Sequence, residues 1–413
     1  MLKGKNKPQL EKVVEEEFHP ESSVLQELKW RGFIKDCSNI KALDSLCKNE
    51  KITIYSGYDL SADSLHVGNL MTLMMCRIFK NHGHNVITLL GGATTKISDP
   101  SGRDEARKPL SDEQIAHNLL GIAKNFTQIL GENIKVVNNY DWLSKKGYLE
   151  ILGEVGNHFS INRMVKMDSV ESRLKRDAEM TFLEFNYMIF QGYDFYHLAK
   201  NENCVLQIGG SDQWGNILQG VKIGGKLLER EIFGLTCPLI SKYDGTKMGK
   251  SVNGAVWLAR EKLSHFEYFQ YFRNLDDADI EKCLKFFTDL TESEIGNLPL
   301  IGREINETKK ILAFEATKVV HGEVLAIEAR NSAEKIYESG ELSTQMHEIK
   351  VLSANILDVL VESKIVNSRG DAKKLIAQNS IKIDGNPCSN INFELQNGSV
   401  LQIGKKRFVK IVI

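Results

Sequence analysis

Two stretches of the chain carry residue types suited to gripping a phosphorylated ligand. The first is YSGYDLSADSLHVGN, residues 55 to 69, which follows the strand-like run KITIY and leads into a segment of helical composition. A helix start offers unpaired backbone N–H groups and a positive dipole end to an anion, while Gly57 and Gly68 let a phosphate or a base approach the backbone. His66 and Asn69, three apart, share one face of a helical turn. Both can donate hydrogen bonds to oxygens whose charge rises during displacement at phosphorus. The second stretch is KYDGTKMGKS, residues 242 to 251, whose glycines make a mobile loop and whose Lys247 and Lys250 can close on a polyphosphate as point charges. It is not a P-loop, because that pattern needs a glycine at 244, where Asp244 stands. Each stretch is weak alone, since H-x-G-x arises by chance and lysine-rich surface loops are common.

The elements that must position these residues read as short strands alternating with amphipathic helices. Residues 51–57, 85–92, 134–139 and 204–210 have strand character, the stretch from Gly68 to Lys80 is helical, and Ser111 with Gln114 makes a capping box before Ile115, Leu119, Ile122, Phe126 and Ile129. This alternation predicts an α/β fold with a parallel, doubly wound sheet, whose ligands sit beyond the strands' carboxyl ends. The first domain is placed at 1–256, including an N-terminal extension and a connective insertion. From about Trp257 the pattern turns helical, giving a second domain at 257–340 with Phe266, Phe269, Tyr271 and Phe272 read as helix core. The polar stretch ESGELSTQMHEIK reads as a linker before a small α+β module at 351–413, with two short helices, the second opened by Ser368, and a strand running into a turn at 381–387.

The whole chain of 413 residues has a formal charge of −1, yet residues 351 to 413 hold nine basic and five acidic side chains. A basic module on an acidic body suits a polyanionic partner. The seven cysteines are scattered and include no C-x-x-C, which fits free thiols in a reducing compartment and gives no zinc framework. Histidines and carboxylates do not cluster, so no protein-held metal is expected. No apolar run is long enough to span a membrane and the start has no apolar signal core, so the expectation is a cytoplasmic chain.

Between the two stretches lie GGATTKISDPSG (91 to 102), NNYDW (138 to 142), FNYMIFQGYDF (185 to 195) and QIGGSDQWGN (207 to 216). With them in register, the chain resembles the bacterial-type tyrosyl-tRNA synthetases, a class I aminoacyl-tRNA synthetase family with a Rossmann-type catalytic domain. The resemblance implies that tyrosine and ATP react to give tyrosyl-adenylate and pyrophosphate, and that the tyrosyl group then passes to tRNA(Tyr). It assigns Tyr55 and Asp194 to the substrate phenol, with Asp99, Tyr187 and Gln191 around the ammonium group and Gln213 nearby. A hydroxyl and a carboxylate can together satisfy both the donor and the acceptor capacity of a phenol. Tyr187, Gln191 and Asp194 would share a helix face. Gly57, Asp59, Gly68, Gly210 and Asp212 are implied as nucleotide and ribose contacts, and Ser61, His66, Asn69, Arg103, Lys247, Lys250 and Ser251 as the grip on the triphosphate. Magnesium would arrive with ATP. Three positions depart from the commoner pattern: Asn69 replaces a second histidine, Ser61 a threonine and Arg103 a lysine. All three keep a hydrogen-bond donor. The terminal module resembles a small RNA-binding fold carried by residues 368 to 384, with Arg369, Lys373, Lys374 and Lys382 as phosphate contacts. The resemblance also implies a homodimer, with the helical domain serving the anticodon arm. Tryptophanyl-tRNA synthetases share the sheet and both loops, but the Tyr55 and Asp194 pair and the basic module point away from them. An idle RNA-binding protein would not need His66 or Lys250, and a nucleotidyltransferase for small metabolites would leave the basic module unexplained.

Overall fold

A computed structural model describes residues 18–101, 109–251, 254–338, 348–363, 365–366, 368–404 and 407–413. The described residues form two compact units. One runs up to Ala259 and takes in Lys282–Asn297; the other comprises Arg260–Glu281 and the residues from Leu298 onward. The helical stretch that begins near 257 is therefore shared between units, so packing does not follow a simple sequential cut at that point.

The first unit is built on six strands, β1 (Asp36–Cys37), β2 (Thr53–Asp59), β3 (Asn85–Gly91), β4 (Lys135–Asn138), β5 (Cys204–Gly210) and β6 (Phe233–Cys237). Their order is β1-β6-β5-β2-β3-β4, all parallel except the two-residue β1, which runs antiparallel on β6. The apolar residues of β3 and β6 are buried along nearly their whole length, as a parallel sheet covered on both faces requires. From β2 the chain moves outward to β3 and β4, then returns to lay β5 on the other side of β2. The direction of winding thus reverses between β2 and β5, which opens a crevice at their carboxyl ends, at Asp59 and Gly210.

Helices fix what leaves those ends. Val67–Asn81 follows β2 and buries Leu70, Met71, Leu73 and Met74. Asp112–Leu130 opens with the expected capping box between Ser111 and Gln114. Its Asn118 Nδ2 donates to the Leu60 carbonyl at 2.7 Å, and its Asn125 Oδ1 accepts from the Leu65 N–H at 2.9 Å. Gly121 passes so close to the Asp63 carbonyl that no side chain fits there. The 60–66 loop is therefore clamped along its length by one helix. Phe182–Glu202 carries Tyr187, Gln191 and Asp194, and its first turn is fixed by Glu184, which accepts from Thr181 and from the buried Arg173 guanidinium at 2.8 Å. At the other edge the Arg31 side chain, 4% exposed, donates to the carbonyls of Lys285, Thr288 and Leu290.

The second unit contains the helices His265–Arg273, Ile305–His321 and Glu323–Glu338. Phe266, Phe269 and Phe272 are buried as expected, and Tyr271 packs edge-on against Phe272. Following the short hairpin β7 (Lys250–Ser251) and β8 (Gly254–Ala255) of the first unit, the remaining strands are β9 (Glu348–Lys350), β10 (Ile381–Ile383), β11 (Asn386–Pro387), β12 (Val400–Ile403) and β13 (Arg407–Val412). They make one sheet in the order β11-β10-β12-β13-β9, with β9 parallel to β13. The end of the expected linker is thus a strand, and residues 339–347 lie outside the described ones. The helices Ile356–Glu362 and Arg369–Ala377 bury Ile356, Leu360 and Ile376 in a core shared with Ile381, Leu401 and Ile411. Ser368 caps the second of them, accepting from Asp371 N–H at 3.2 Å. All seven cysteines are free and buried. Among the described residues no helix is long and apolar enough to cross a membrane, and no three His, Cys, Asp or Glu side chains gather as metal ligands.

Candidate active site

A cavity of about 830 Å³ occupies the crevice beyond β2 and β5. Tyr55, Gly57, Asp59 and Ser61 line it from β2 and its loop, and His66, Gly68 and Asn69 from the helix start. Tyr187, Gln191 and Asp194 reach it from one helix face, Asp99 from the loop after β3, and Gly210, Asp212, Gln213 and Lys247 from beyond β5 and β6. Residues separated by almost two hundred positions thus meet in one space. Arg103 lies outside the described residues, as do the side chains of Lys250 and Ser251.

The helix start is organised by its own side chains. His66 is the N-cap: its Nδ1 accepts from the Gly68 N–H at 3.0 Å, while Asn69 Oδ1 accepts from the His66 N–H at 3.2 Å. An imidazole that accepts at Nδ1 carries its proton on Nε2, which leaves that N–H as a donor. Burial holds the His66 pKa below the ordinary histidine value and so keeps this neutral form. Asn69 spends its carbonyl on the cap and retains its amide N–H₂ for a ligand. Gly68 is required for this arrangement, because a Cβ there would stand 2.8 Å from His66 Cε1.

At the other end of the cavity Tyr55, 1% exposed, packs its ring on Phe195, and its hydroxyl is buried without a hydrogen-bond partner. Asp194, 3% exposed, is held at both oxygens: Trp142 Nε1–H donates to Oδ1 at 2.8 Å and Asn139 Nδ2–H to Oδ2 at 2.9 Å. Burial pushes this carboxyl up to about 7 despite those two donors. Burial and the nearby Asp194 charge raise the Tyr55 phenol well above its ordinary value, so it stays protonated and able to donate. Asn139 continues to Thr94 Oγ1 at 3.0 Å, Thr94 donates to Asp59 Oδ1 at 2.9 Å, and Tyr187 OH donates to Asp59 Oδ2 at 3.1 Å. A hydrogen-bonded chain therefore ties Asp194 to Asp59 at the end of β2. A second chain runs from Asp99 through Gln213 at 2.7 Å to Asn216, which donates to Gln191 Oε1 at 3.0 Å. Burial and Asp99 raise the Asp212 pKa.

The second loop is fastened to the first. Val67 N–H donates to the Val256 carbonyl at 2.9 Å, Leu258 N–H to the Leu65 carbonyl at 2.9 Å, and His66 pairs with Trp257 in a β-bridge. Gly249, with φ of 93°, approaches so closely that a Cβ there would lie 3.4 Å from the Gly68 nitrogen. Met248 is buried beneath the loop, with Cys283 Sγ 3.8 Å from its sulfur.

Residues 47–338 match the family of class I tRNA synthetases (W and Y), and residues 338–411 match the tyrosine–tRNA ligase SYY-like C-terminal domain. A tyrosine–tRNA ligase of Gluconobacter oxydans (strain 621H) is 46% identical over 372 residues, which span 86% of this chain and 89% of that protein. One of Clostridium perfringens (strain SM101 / Type A) is 42% identical over 407 residues, spanning 95% of this chain and 100% of that protein. The chain belongs to the tyrosyl-tRNA synthetase family. In its fold it is similar to a C-terminally truncated mitochondrial tyrosyl-tRNA synthetase of Aspergillus nidulans, with a TM-score of 0.69, 27% identity, and coverage of 76% of this chain and 94% of that one.

For a member of this family, the sequence left several site residues without a role. Asn139 and Trp142 grip Asp194, Thr94 links Asn139 to Asp59, and Asn216 joins Gln213 to Gln191. The block NNYDW contains the first two, but only the return of the chain to β5 brings them to Asp194. In the second unit, Lys373 and Lys374 are exposed on one helix and Lys382 is half-buried on β10. Arg369, at the start of the same helix, pairs with Asp358: its Nε donates to Asp358 Oδ1 at 2.7 Å and its Nη2 donates to the same oxygen.

Proposed function

We propose that the cavity beyond β2 and β5 is where this tyrosine–tRNA ligase joins L-tyrosine to ATP. The observation that carries the reading is the buried Tyr55 hydroxyl without a partner beside a doubly braced Asp194. A substrate phenol placed there donates to Asp194 and accepts from Tyr55, which gives the buried Tyr55 hydroxyl its partner. Phenylalanine leaves the Tyr55 hydroxyl desolvated and unpaired, at a cost of about 1–3 kcal/mol, and brings Asp194 no further donor.

Tyr187, Gln191 and Asp99 face the ammonium group, and Gly57, Asp59, Gly210 and Asp212 receive the nucleotide. The substrate carboxylate attacks the α-phosphorus, the bond to the departing oxygen breaks, and pyrophosphate leaves. No general base and no covalent enzyme intermediate are needed, so the work is positioning and charge stabilisation. His66 Nε2–H, the Asn69 amide and Ser61 donate to phosphate oxygens from one side, and Arg103, Lys247, Lys250 and Ser251 from the other. Magnesium comes with the nucleotide, bound mainly by its phosphates. The tRNA's terminal ribose hydroxyl then takes the tyrosyl group, while Arg369, Lys373, Lys374 and Lys382 contact the phosphates of tRNA(Tyr). Leu149, Ile161, Phe182 and Leu183 are exposed apolar side chains of the first unit and support pairing with a second copy of the chain. The reaction is proposed to take place in the cytoplasm.

Exchange of labelled pyrophosphate into ATP tests the reading. Exchange with tyrosine, none with phenylalanine or tryptophan, and collapse in Lys250→Ala are expected. Exchange that is equal with phenylalanine would overturn the assignment of Tyr55 and Asp194.

A further inference from the structure

We propose that His197 is a positioning residue for the substrate phenol, acting through Trp142 on Asp194; this rests on the reading of Asp194 as the phenol's partner. The Trp142 ring lies flat on the His197 imidazole, with centroids 4.3 Å apart and planes 12° from parallel, while its N–H reaches Asp194 Oδ1 at 2.8 Å. His197 follows Asp194 by three residues on the helix Phe182–Glu202, so the carboxylate and the ring that braces its donor ride on one rigid element.

The two donors to Asp194 are held differently. Asn139 is fixed locally, accepting from the Ala93 N–H at 2.8 Å and donating to Thr94 Oγ1 at 3.0 Å. Trp142 stands on the helix Tyr140–Leu143, which is one turn long and has no side-chain cap, so the direction of its indole depends on what its faces meet. The His197 imidazole is one such face. It is itself steadied by Asn201, whose Nδ2 lies 3.3 Å from His197 Nδ1 and donates to the His197 carbonyl at 2.8 Å. Turning the indole away would lengthen its bond to Oδ1 and loosen the acceptor that the phenol needs. Phenylalanine makes no bond there, so the loss falls on tyrosine alone. Small departures from productive geometry in a supporting contact are enough to weaken a site.

The test uses the full-length enzyme, pyrophosphate exchange and the variants His197→Ala, His197→Phe and Trp142→Phe. His197→Ala should raise the tyrosine KM about 3- to 10-fold, the range of an aromatic pair. Its kcat and ATP KM should stay within about 2-fold, and its preference for tyrosine over phenylalanine should narrow by the same factor as the KM rise. His197→Phe, which keeps a flat ring on the indole, should restore the wild-type values. In a Trp142→Phe background, which has already lost the N–H, adding His197→Ala should change the tyrosine KM less than about 2-fold. A purely structural role would lower the melting temperature and the fraction of active sites without moving the tyrosine KM or the preference. That result, or full additivity of the two substitutions, would overturn the proposal. Asp194→Asn separates the two levels: an unchanged tyrosine KM in that variant removes the phenol from Asp194 and sinks the underlying reading, whatever the His197 variants show.

Discussion

Replacing Tyr55 by phenylalanine should make the empty enzyme more stable and a poorer enzyme for tyrosine. The ring packs on Phe195 at 5.3 Å between centroids, and phenylalanine preserves that contact. What disappears is a buried hydroxyl without a partner, a group whose desolvation costs about 1–3 kcal/mol. Taking the lower end, because the cavity can admit water, the gain of about 1 kcal/mol corresponds to a rise of about 2–4 °C in the melting temperature of a unit this size. With tyrosine bound the sign reverses, since the phenol loses a hydrogen bond worth about 0.5–1.5 kcal/mol. The tyrosine KM should then rise about 2- to 13-fold. Phenylalanine no longer strands the hydroxyl, so the preference for tyrosine should narrow by more than the KM change alone. Differential scanning fluorimetry of the empty enzyme and pyrophosphate exchange with both amino acids measure the three quantities. A melting temperature that falls by several degrees while the tyrosine KM stays constant would refute the reasoning, because it would make Tyr55 a satisfied core residue.

Gly68→Ala should leave the fold intact and lower the kcat of exchange by about 10- to 100-fold, less than the loss of a whole transition-state donor, because the new methyl group displaces the His66 ring; an unchanged kcat would show that the imidazole does not need its cap. Asp194 predicts two pH effects. Its carboxyl is raised in the folded, empty protein to about 7, so the folded state holds a proton that the unfolded chain gives up. Stability from this group therefore falls as pH rises from the ordinary carboxylate range through about 7, and the slope of melting temperature against pH should flatten in Asp194→Asn. A phenol that donates to the ionised carboxylate also expels that proton, so calorimetry at pH 6.5 in two buffers of different ionisation heat should show proton release on tyrosine binding, and none in Asp194→Asn. Lys373→Ala should weaken tRNA binding and reduce its salt slope by about 1 while leaving pyrophosphate exchange unchanged; equal slopes would remove that side chain from the phosphate contacts.

How legible the molecule is in its sequence depends on the reach of the interaction that shapes each part. β3 and β5 announce themselves because a doubly covered strand is a run of apolar residues, and the Ser111 cap because a capping box is a local exchange of hydrogen bonds. The described residues expected to bind tyrosine and ATP meet in one cavity because the order of strands puts the ends of β2 and β5 together. The two-residue β1 leaves no periodic trace, and β9 exists through its pairing with β13, nearly sixty residues later. Asn118, Asn125, Asn139 and Asn216 are equally silent. An asparagine in a helix or a turn looks like an ordinary surface residue until the carbonyl, N–H or carboxylate that it serves arrives from elsewhere in the chain.

The guanidinium of Arg31 carries a consequence for the order in which the protein is made. Its three carbonyl partners, at Lys285, Thr288 and Leu290, lie more than 250 positions downstream. A ribosome working at about 5–20 residues per second needs roughly 10–50 seconds to make that stretch. During that time Asp36 and Cys37 likewise wait for Thr236 and Leu235, and Leu65 waits for Leu258. The sheet can begin to assemble from β2, β3 and β4 and the 60–66 loop can dock on the helix Asp112–Leu130 while the chain is still emerging, but the contacts of Arg31, Asp36 and Leu65 with the far side of the unit form only after that side has been synthesised. Vectorial synthesis therefore delivers the first unit with one edge left open until last, and closed by residues among the earliest to leave the ribosome.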